Sequence, residues 1–307
     1  MRISLLCLIL AASSRAADAP QPLRFPRMNE DEIAETLRGI HQRHARLQDR
    51  VAAVSEAFLG TPYRLGPLGE GPDGDFDRDP LYSFKELDCT TFVEEVMALS
   101  LESDLDRAKL LLQKIRYRNG VVSFADRNHF PEADWLPNNQ AAGFLRDITR
   151  EIAGGRTRIA RKRISKRAWY ASRTLADVAG FSHDSAAQSE SRLQDLHKAG
   201  ELYADEISTV AYLPLEALPA ALDRIPSGAV ANLVREDQPD KPVLITHQLF
   251  IVVKDGRRWV RHAASGRAVE EQPALDYFSR CSNSAWRVKG VNLNEIIVPP
   301  ALTAPPK

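Results

Sequence analysis

Leu87-Asp88-Cys89-Thr90-Thr91-Phe92-Val93-Glu94 is the stretch on which the reading of this 307-residue chain turns. Asp88 is a favoured N-cap residue, and Phe92, Val93, Val96 and Leu99 follow at helical spacing. A helix is therefore expected to open here with Cys89 at its first position. There the unpaired N–H groups and the positive end of the helix dipole favour a thiolate over a thiol. A free cysteine titrates at about 8.5 and is mostly protonated at neutral pH, so a nucleophilic cysteine needs such help. The same N–H groups could bind the oxyanion formed when sulfur attacks a carbonyl. A purely structural cysteine at a helix start is the plainer alternative.

A base is offered far downstream. Ile245 to Val253 and Arg258 to Ala263 are rich in apolar and β-branched residues and are separated by Asp255-Gly256, a two-residue hairpin signal. With that turn, His262 falls opposite Leu249, two positions from His247, so the two histidines project from one face of adjacent strands. One imidazole can then orient the other, as in any nucleophile–base–orienter site. A slip of one residue would separate them. Zinc held by His247, His262 and Cys89 or a carboxylate is the competing reading, but close CxxC or HExxH spacing is missing. A thiolate mechanism needs no cofactor.

Further out, Asn29 and Glu32 stand at capping-box spacing before a long apolar stripe from Ile33 to Phe58, read as one helix that contains His41 and His44. A Gly-, Pro- and Asp-rich loop runs from Gly60 to about Tyr82. Another helix is expected from Asp104 through Ile115, and the aromatic, polar stretch from Ser123 to Gly143 reads as a structured loop. Ala229 to Val234 and Val288 to Asn294 add strands. His183 and His197 lie in a helical stretch and read as surface residues. Helices followed by a mostly antiparallel sheet make an α+β architecture.

Lys plus Arg balance Asp plus Glu at 41 each, a poor footprint for a nucleic-acid-binding protein. One basic run, Arg156, Arg158, Arg161, Lys162, Arg163, Lys166 and Arg167, suits either a polyanion or a solvated face. Arg2, the short apolar run Ile3 to Ala12 and the small residues to Ala17 read as an export signal over residues 1–17. That run is too short for a bilayer, which takes about 20 residues, so no stable membrane span is expected. A Pro-rich linker over 18–28 and a single domain over 29–300, with inserted loops, complete the expected organisation. Beyond the signal only Cys89 and Cys281 remain, and in an oxidising compartment they could form a disulfide.

Together these segments resemble the NlpC/P60 superfamily of cell-wall cysteine hydrolases, and within it the branch of N-acetylmuramoyl-L-alanine amidase-like proteins. The carrying segments are Leu59-Gly-Thr-Pro-Tyr-Arg64, Leu87 to Glu94, Ile225-Pro-Ser-Gly-Ala229, Ile245-Thr-His247 and Val260-Arg-His-Ala263. They run in family order between about Glu35 and Ile297. The resemblance implies a papain-like α+β fold, a Cys89–His247–His262 triad, and a substrate cleft formed with Tyr63 and Asp88. It also implies that Arg127, His129 and Trp135 shape the pocket. The implied function is that of an exported, periplasmic hydrolase cutting an amide of peptidoglycan or a muropeptide, foremost the bond to L-alanine. A γ-D-glutamyl-diamino-acid endopeptidase and a non-catalytic wall-binding module are the alternatives. Two positions depart from the superfamily pattern: Gln248 follows the base where a small apolar residue is common, and Ala229 stands where an Asp often follows Pro-x-Gly.

Overall fold

Two backbone features set the frame. Asp255 and Gly256 both adopt positive φ, 49° and 73°, the requirement of a tight hairpin turn matched to strand twist. The pairs flanking that turn run from Lys254↔Arg257 to Phe250↔Arg261, which is the register expected for a two-residue turn. The structure, a computed structural model, describes residues 24–303. The export signal expected over residues 1–17 and the first part of the linker lie outside the described residues. The end of the linker is packed rather than free: Phe25 begins a short 3-10 turn and is fully buried against Phe58 and Phe84.

The first helical layer comprises α1 (Glu30–Arg43), α2 (Leu47–Ala57), α3 (Cys89–Leu101) and α4 (Leu105–Arg116). The capping box of Asn29 and Glu32 forms as expected. The single helix read from Ile33 to Phe58 is instead two. α1 ends at His44, the chain is extended at Arg46, and α2 restarts at Leu47. Arg50 holds this corner by donating to the carbonyls of His44, Ala45 and Ser100. His41 packs inward and bonds the Leu99 carbonyl at 2.8 Å.

Between Ser123 and Gly143 the chain is more regular than its composition suggests. A π-turn over Pro131–Trp135 leads directly into α5 (Leu136–Ala141). The Phe130 carbonyl accepts from the N–H groups of both Asp134 and Trp135, and the buried Trp135 indole anchors the turn by donating to Glu94.

The rest comprises β1 (Leu145–Asp147), α6 (Thr149–Ala153), β2 (Arg158–Ile164), α7 (Lys166–Ala171), α8 (Ala186–Gly200), β3 (Glu206–Pro214), β4 (Ala229–Arg235), β5 (Ile245–Lys254), β6 (Arg257–Ala263), β7 (Val269–Pro273), α9 (Ala274–Cys281), β8 (Val288–Ile296) and α10 (Pro300–Thr303). All strand pairings are antiparallel, in the order β2-β3-β8-β4-β5-β6-β7, with β1 on β8. A mixed fold of helices and antiparallel sheet is thereby established. α3 covers one face, with Phe92 edge-on to Phe250 at 5.6 Å. The other face packs Leu249, Ile251, Val260 and Leu293 against Ile152, Leu222, Ala274 and Phe278. No helix among the described residues is long and apolar enough to cross a membrane.

The middle of the basic run, Arg158 to Arg163, lies in the edge strand β2, where Ala160, Lys162 and Ile164 are buried in alternation, and Lys166 and Arg167 open α7. Lys162 reaches Asp237 and the Gln238 carbonyl, while Arg163 pairs with Asp205 and Lys166 with Asp134 and Glu206. Charges on an edge strand oppose pairing with another chain, which is a structural role for the run.

Candidate functional site

Asp88 caps α3 with both carboxylate oxygens engaged. One accepts from the Thr91 N–H at 2.8 Å, and the Thr91 hydroxyl returns a bond from the Asp88 N–H. The other accepts from the Gly66 N–H at 3.0 Å, where Gly66 turns the long loop at φ 58°. A carboxylate that accepts several N–H bonds fixes the helix start firmly. Cys89 thus occupies the first helical position, and its own N–H has no partner inside the helix.

The sulfur lies against β5, where the Gln248 backbone N–H points at it, and Thr90 contributes its N–H and hydroxyl. Gln248 is buried, and its side chain donates to Asn232 in a polar network that continues to Asn292. That network explains why an amide follows the histidine at this position. Beside Gln248, His247 Nε2 meets His262 Nδ1 at 2.8 Å with the rings at 89°. The structure therefore unites the two histidines that the hairpin register placed together and sets the cysteine at the neighbouring residue.

The protonation state differs from the one expected of a helix-start cysteine. Burial, and after it the Asp88 carboxylate, push the Cys89 thiol up to about 12. Burial, then His262 and Arg235, pull His247 down to about 3. Burial and the cations Arg267 and Arg280 bring His262 to about 4. These shifts all favour a neutral thiol beside two neutral imidazoles over a thiolate–imidazolium pair. Cys89 and Cys281, the cysteines among the described residues, are both free. Because the thiolate is the reactive form, its population below the folded pKa rises with pH. Iodoacetamide labelling of Cys89 should accelerate about tenfold per pH unit between pH 7 and pH 10. Mass mapping of unreduced peptides checks this; a flat rate, or a peptide linking Cys89 to Cys281, contradicts it.

Tyr63 lies near Cys89 and Asp88. Its chain forms a bridge to Leu87, its phenol bonds Ser265, and burial together with Cys89 and Asp88 nearby raises its pKa. Tyr277 of α9 lies edge-on to His262 at 5.0 Å and shares a hydrogen bond with Cys281.

The other sequence candidates lie elsewhere in the molecule. Arg127 pairs with Asp77 at 2.7 Å and donates to the Leu68 carbonyl, tying down the Gly-rich loop. His129 bonds the Phe124 carbonyl at 2.7 Å and stacks among Phe124, Trp169 and Tyr170. Both line a polar cavity of about 20 Å³ with Asp134, Lys166 and Tyr203, which does not include Cys89 or the histidine pair. Trp135 has no exposed surface. All three side chains are engaged in contacts within the fold. His183 is exposed, whereas His197 bonds the Arg173 carbonyl. Among the described residues no group of three or more His, Cys, Asp or Glu side chains is arranged to hold a metal.

A family described as AmiA-like, N-acetylmuramoyl-L-alanine amidase-like, matches residues 53–283. A protein of Legionella pneumophila is 30% identical with a TM-score of 0.80, over 87% of this chain and 95% of that one. An N-acetylmuramoyl-L-alanine amidase from Bacteroides uniformis shares the fold at 21% identity and a TM-score of 0.62, over 81% of this chain and 98% of that one. A Bacteroides fragilis protein provisionally described as a xylanase does so at 22% identity and a TM-score of 0.58, over 80% of this chain and all of that one. No curated protein matches the chain in sequence.

Proposed function

The chain belongs to the AmiA-like, N-acetylmuramoyl-L-alanine amidase-like family, and from that premise we propose that it is a cysteine amidase of the NlpC/P60, papain-like type. It cuts the amide between the muramoyl lactyl group and L-alanine, on the periplasmic side of the cell. The observation that carries this reading is the 2.8 Å bond between His247 and His262 beside a helix-start cysteine.

His247 Nδ1 takes the Cys89 proton as sulfur bonds to the amide carbon, so charge develops only during the step. The Cys89 N–H and the Tyr63 hydroxyl are the donors for the oxyanion. His247 then protonates the leaving amine, and water hydrolyses the thioester by the same base. Cys281 is outside this chemistry.

The test is incubation with defined muropeptides and mass analysis of the products. A free muramoyl carboxylate plus an L-alanine-terminated peptide is expected, with turnover unchanged after dialysis against EDTA. Cleavage after γ-D-glutamate instead makes it an endopeptidase. Binding without any cleavage makes it a wall-binding module.

A further inference from the structure

Behind the histidine pair stands a carboxylate. β6 and β7 are registered so that His262 lies opposite Glu270. Glu270 Oε1 is 3.4 Å from His262 Nε2, and Arg267 donates to that same oxygen at 2.8 Å. Gln272 Nε2 lies 3.2 Å from both His262 Nε2 and Glu270 Oε1. We infer that Glu270 is a positioning residue that sets the tautomer of His262 and, through it, the tautomer of His247, leaving the His247 Nδ1 lone pair free for the Cys89 proton.

A neutral imidazole carries one N–H and one lone pair, so one ring must donate across the contact between His247 and His262. If His262 holds its proton on Nε2, Glu270 Oε1, 3.4 Å from that nitrogen, is a carboxylate within reach to attract it. Nδ1 then accepts from His247 Nε2–H, and His247 Nδ1 is a lone pair. If His262 holds its proton on Nδ1, the order reverses. His247 then carries its proton on Nδ1 and cannot serve as base.

The two side chains at His262 Nε2 favour opposite orders. A carboxylate only accepts, whereas an amide N–H of Gln272 aimed at Nε2 demands a lone pair there. Charge favours the first order, because attraction of an N–H to an ionised acceptor is roughly twice as strong as to a neutral one. Gln272 also has Glu270 Oε1 as an equally near acceptor, so its amide is satisfied without taking His262 Nε2. His262 is only 5% exposed, which limits competition from water.

During attack the proton passes from Cys89 Sγ to His247 Nδ1, the S–C bond forms and the carbonyl pair moves to oxygen. Collapse of that intermediate breaks the C–N bond and returns the proton to the amine. Glu270 takes no proton; it lies behind the imidazolium that exists between the two transfers.

This inference rests on the Cys89–His247 reading, and the experiment separates the two. Protein labelled with ¹⁵N-histidine is measured by two-bond ¹H–¹⁵N correlation, in the Cys89→Ala background and in parallel with kinetics on muropeptides. His262 should be protonated on Nε2 with Glu270 present, and should shift toward Nδ1 in Glu270→Leu. With Cys89 intact, kcat should fall about 100-fold in Glu270→Leu and about 10-fold in Glu270→Gln, as for other outer-shell orienting groups, with KM within about twofold. A His262 protonated on Nδ1 in the unsubstituted protein, or a tautomer unmoved in folded Glu270→Leu, overturns the inference. Should the leucine variant not fold, the isosteric Glu270→Gln decides it on the same spectra. Since the tautomer is read without turnover, an enzyme that cuts no muropeptide sinks the proposed function alone.

Discussion

Alanine at Cys89 or at His247 should each lower kcat by at least about 10⁴-fold, and the double variant should be little worse than either, because members of one catalytic unit are not additive. The expectation follows from the proposed division of labour. Cys89 forms the bond to carbon, and His247 moves the only proton that must leave sulfur and reach the amine. His262 acts on His247 alone, through the 2.8 Å contact. His262→Ala should therefore retain more activity, and His262→Gln or His262→Asn more again, since either amide can still accept from an imidazole N–H. Steady-state rates on muropeptides, on variants whose folding is confirmed by circular dichroism, check the series. If His262→Ala abolished activity while His247→Ala retained most of it, the two roles would be exchanged. If both retained it, His129 would have to be reconsidered as the base, although its ring N–H is engaged by the Phe124 carbonyl.

The parts of this site that could be read in the sequence are those fixed by local chemistry. Asp88 before an apolar pattern places Cys89 on the first helical turn, because a capping carboxylate acts within three residues. Asp255-Gly256 supplies two positive φ values, and that alone sets the register bringing His262 to His247. Glu270 was out of reach for the opposite reason. β7 reads Val-Glu-Glu-Gln-Pro, with no alternation of apolar residues to mark a strand. The basic run hid β2 in the same way, because a paired lysine, Lys162, occupies one of its inward positions. The break between α1 and α2 contains neither Gly nor Pro and is held by Arg50 from outside the corner. The charge state of Cys89 depends on its burial and on the Asp88 carboxylate, which a helix-dipole argument from sequence does not weigh.

Arg116→Met should cost about 3–5 kcal/mol of stability, the penalty for stranding a buried charge. Glu94 and Arg116 are each about 3% exposed at the side chain and stand 3.6 Å apart. The Trp135 indole serves one oxygen of Glu94 at 2.9 Å, while the other has no hydrogen-bond donor and relies on the nearby guanidinium. Arg116 also donates to the Leu68 carbonyl, which retains Arg127 after the substitution. A loss of this size is a large part of the roughly 5–15 kcal/mol that holds a typical domain together. Its pH dependence has a definite sign. Burial already raises the Glu94 pKa, and removing its cation raises it further. A carboxyl whose folded pKa exceeds the unfolded value destabilises the fold above the folded pKa and not below the unfolded one. The deficit of Arg116→Met relative to the unsubstituted protein should therefore be largest at neutral pH and shrink as pH falls toward 4.5, the ordinary value for a glutamate carboxyl. Glu94→Gln in the Arg116→Met background removes the stranded charge while keeping an acceptor for Trp135, so it should recover about 2 kcal/mol at pH 7. Urea midpoints at neutral and acid pH measure all three proteins. An equal deficit at both pH values, or no recovery in the double variant, would show that Arg116 stabilises the fold by packing and not by its charge.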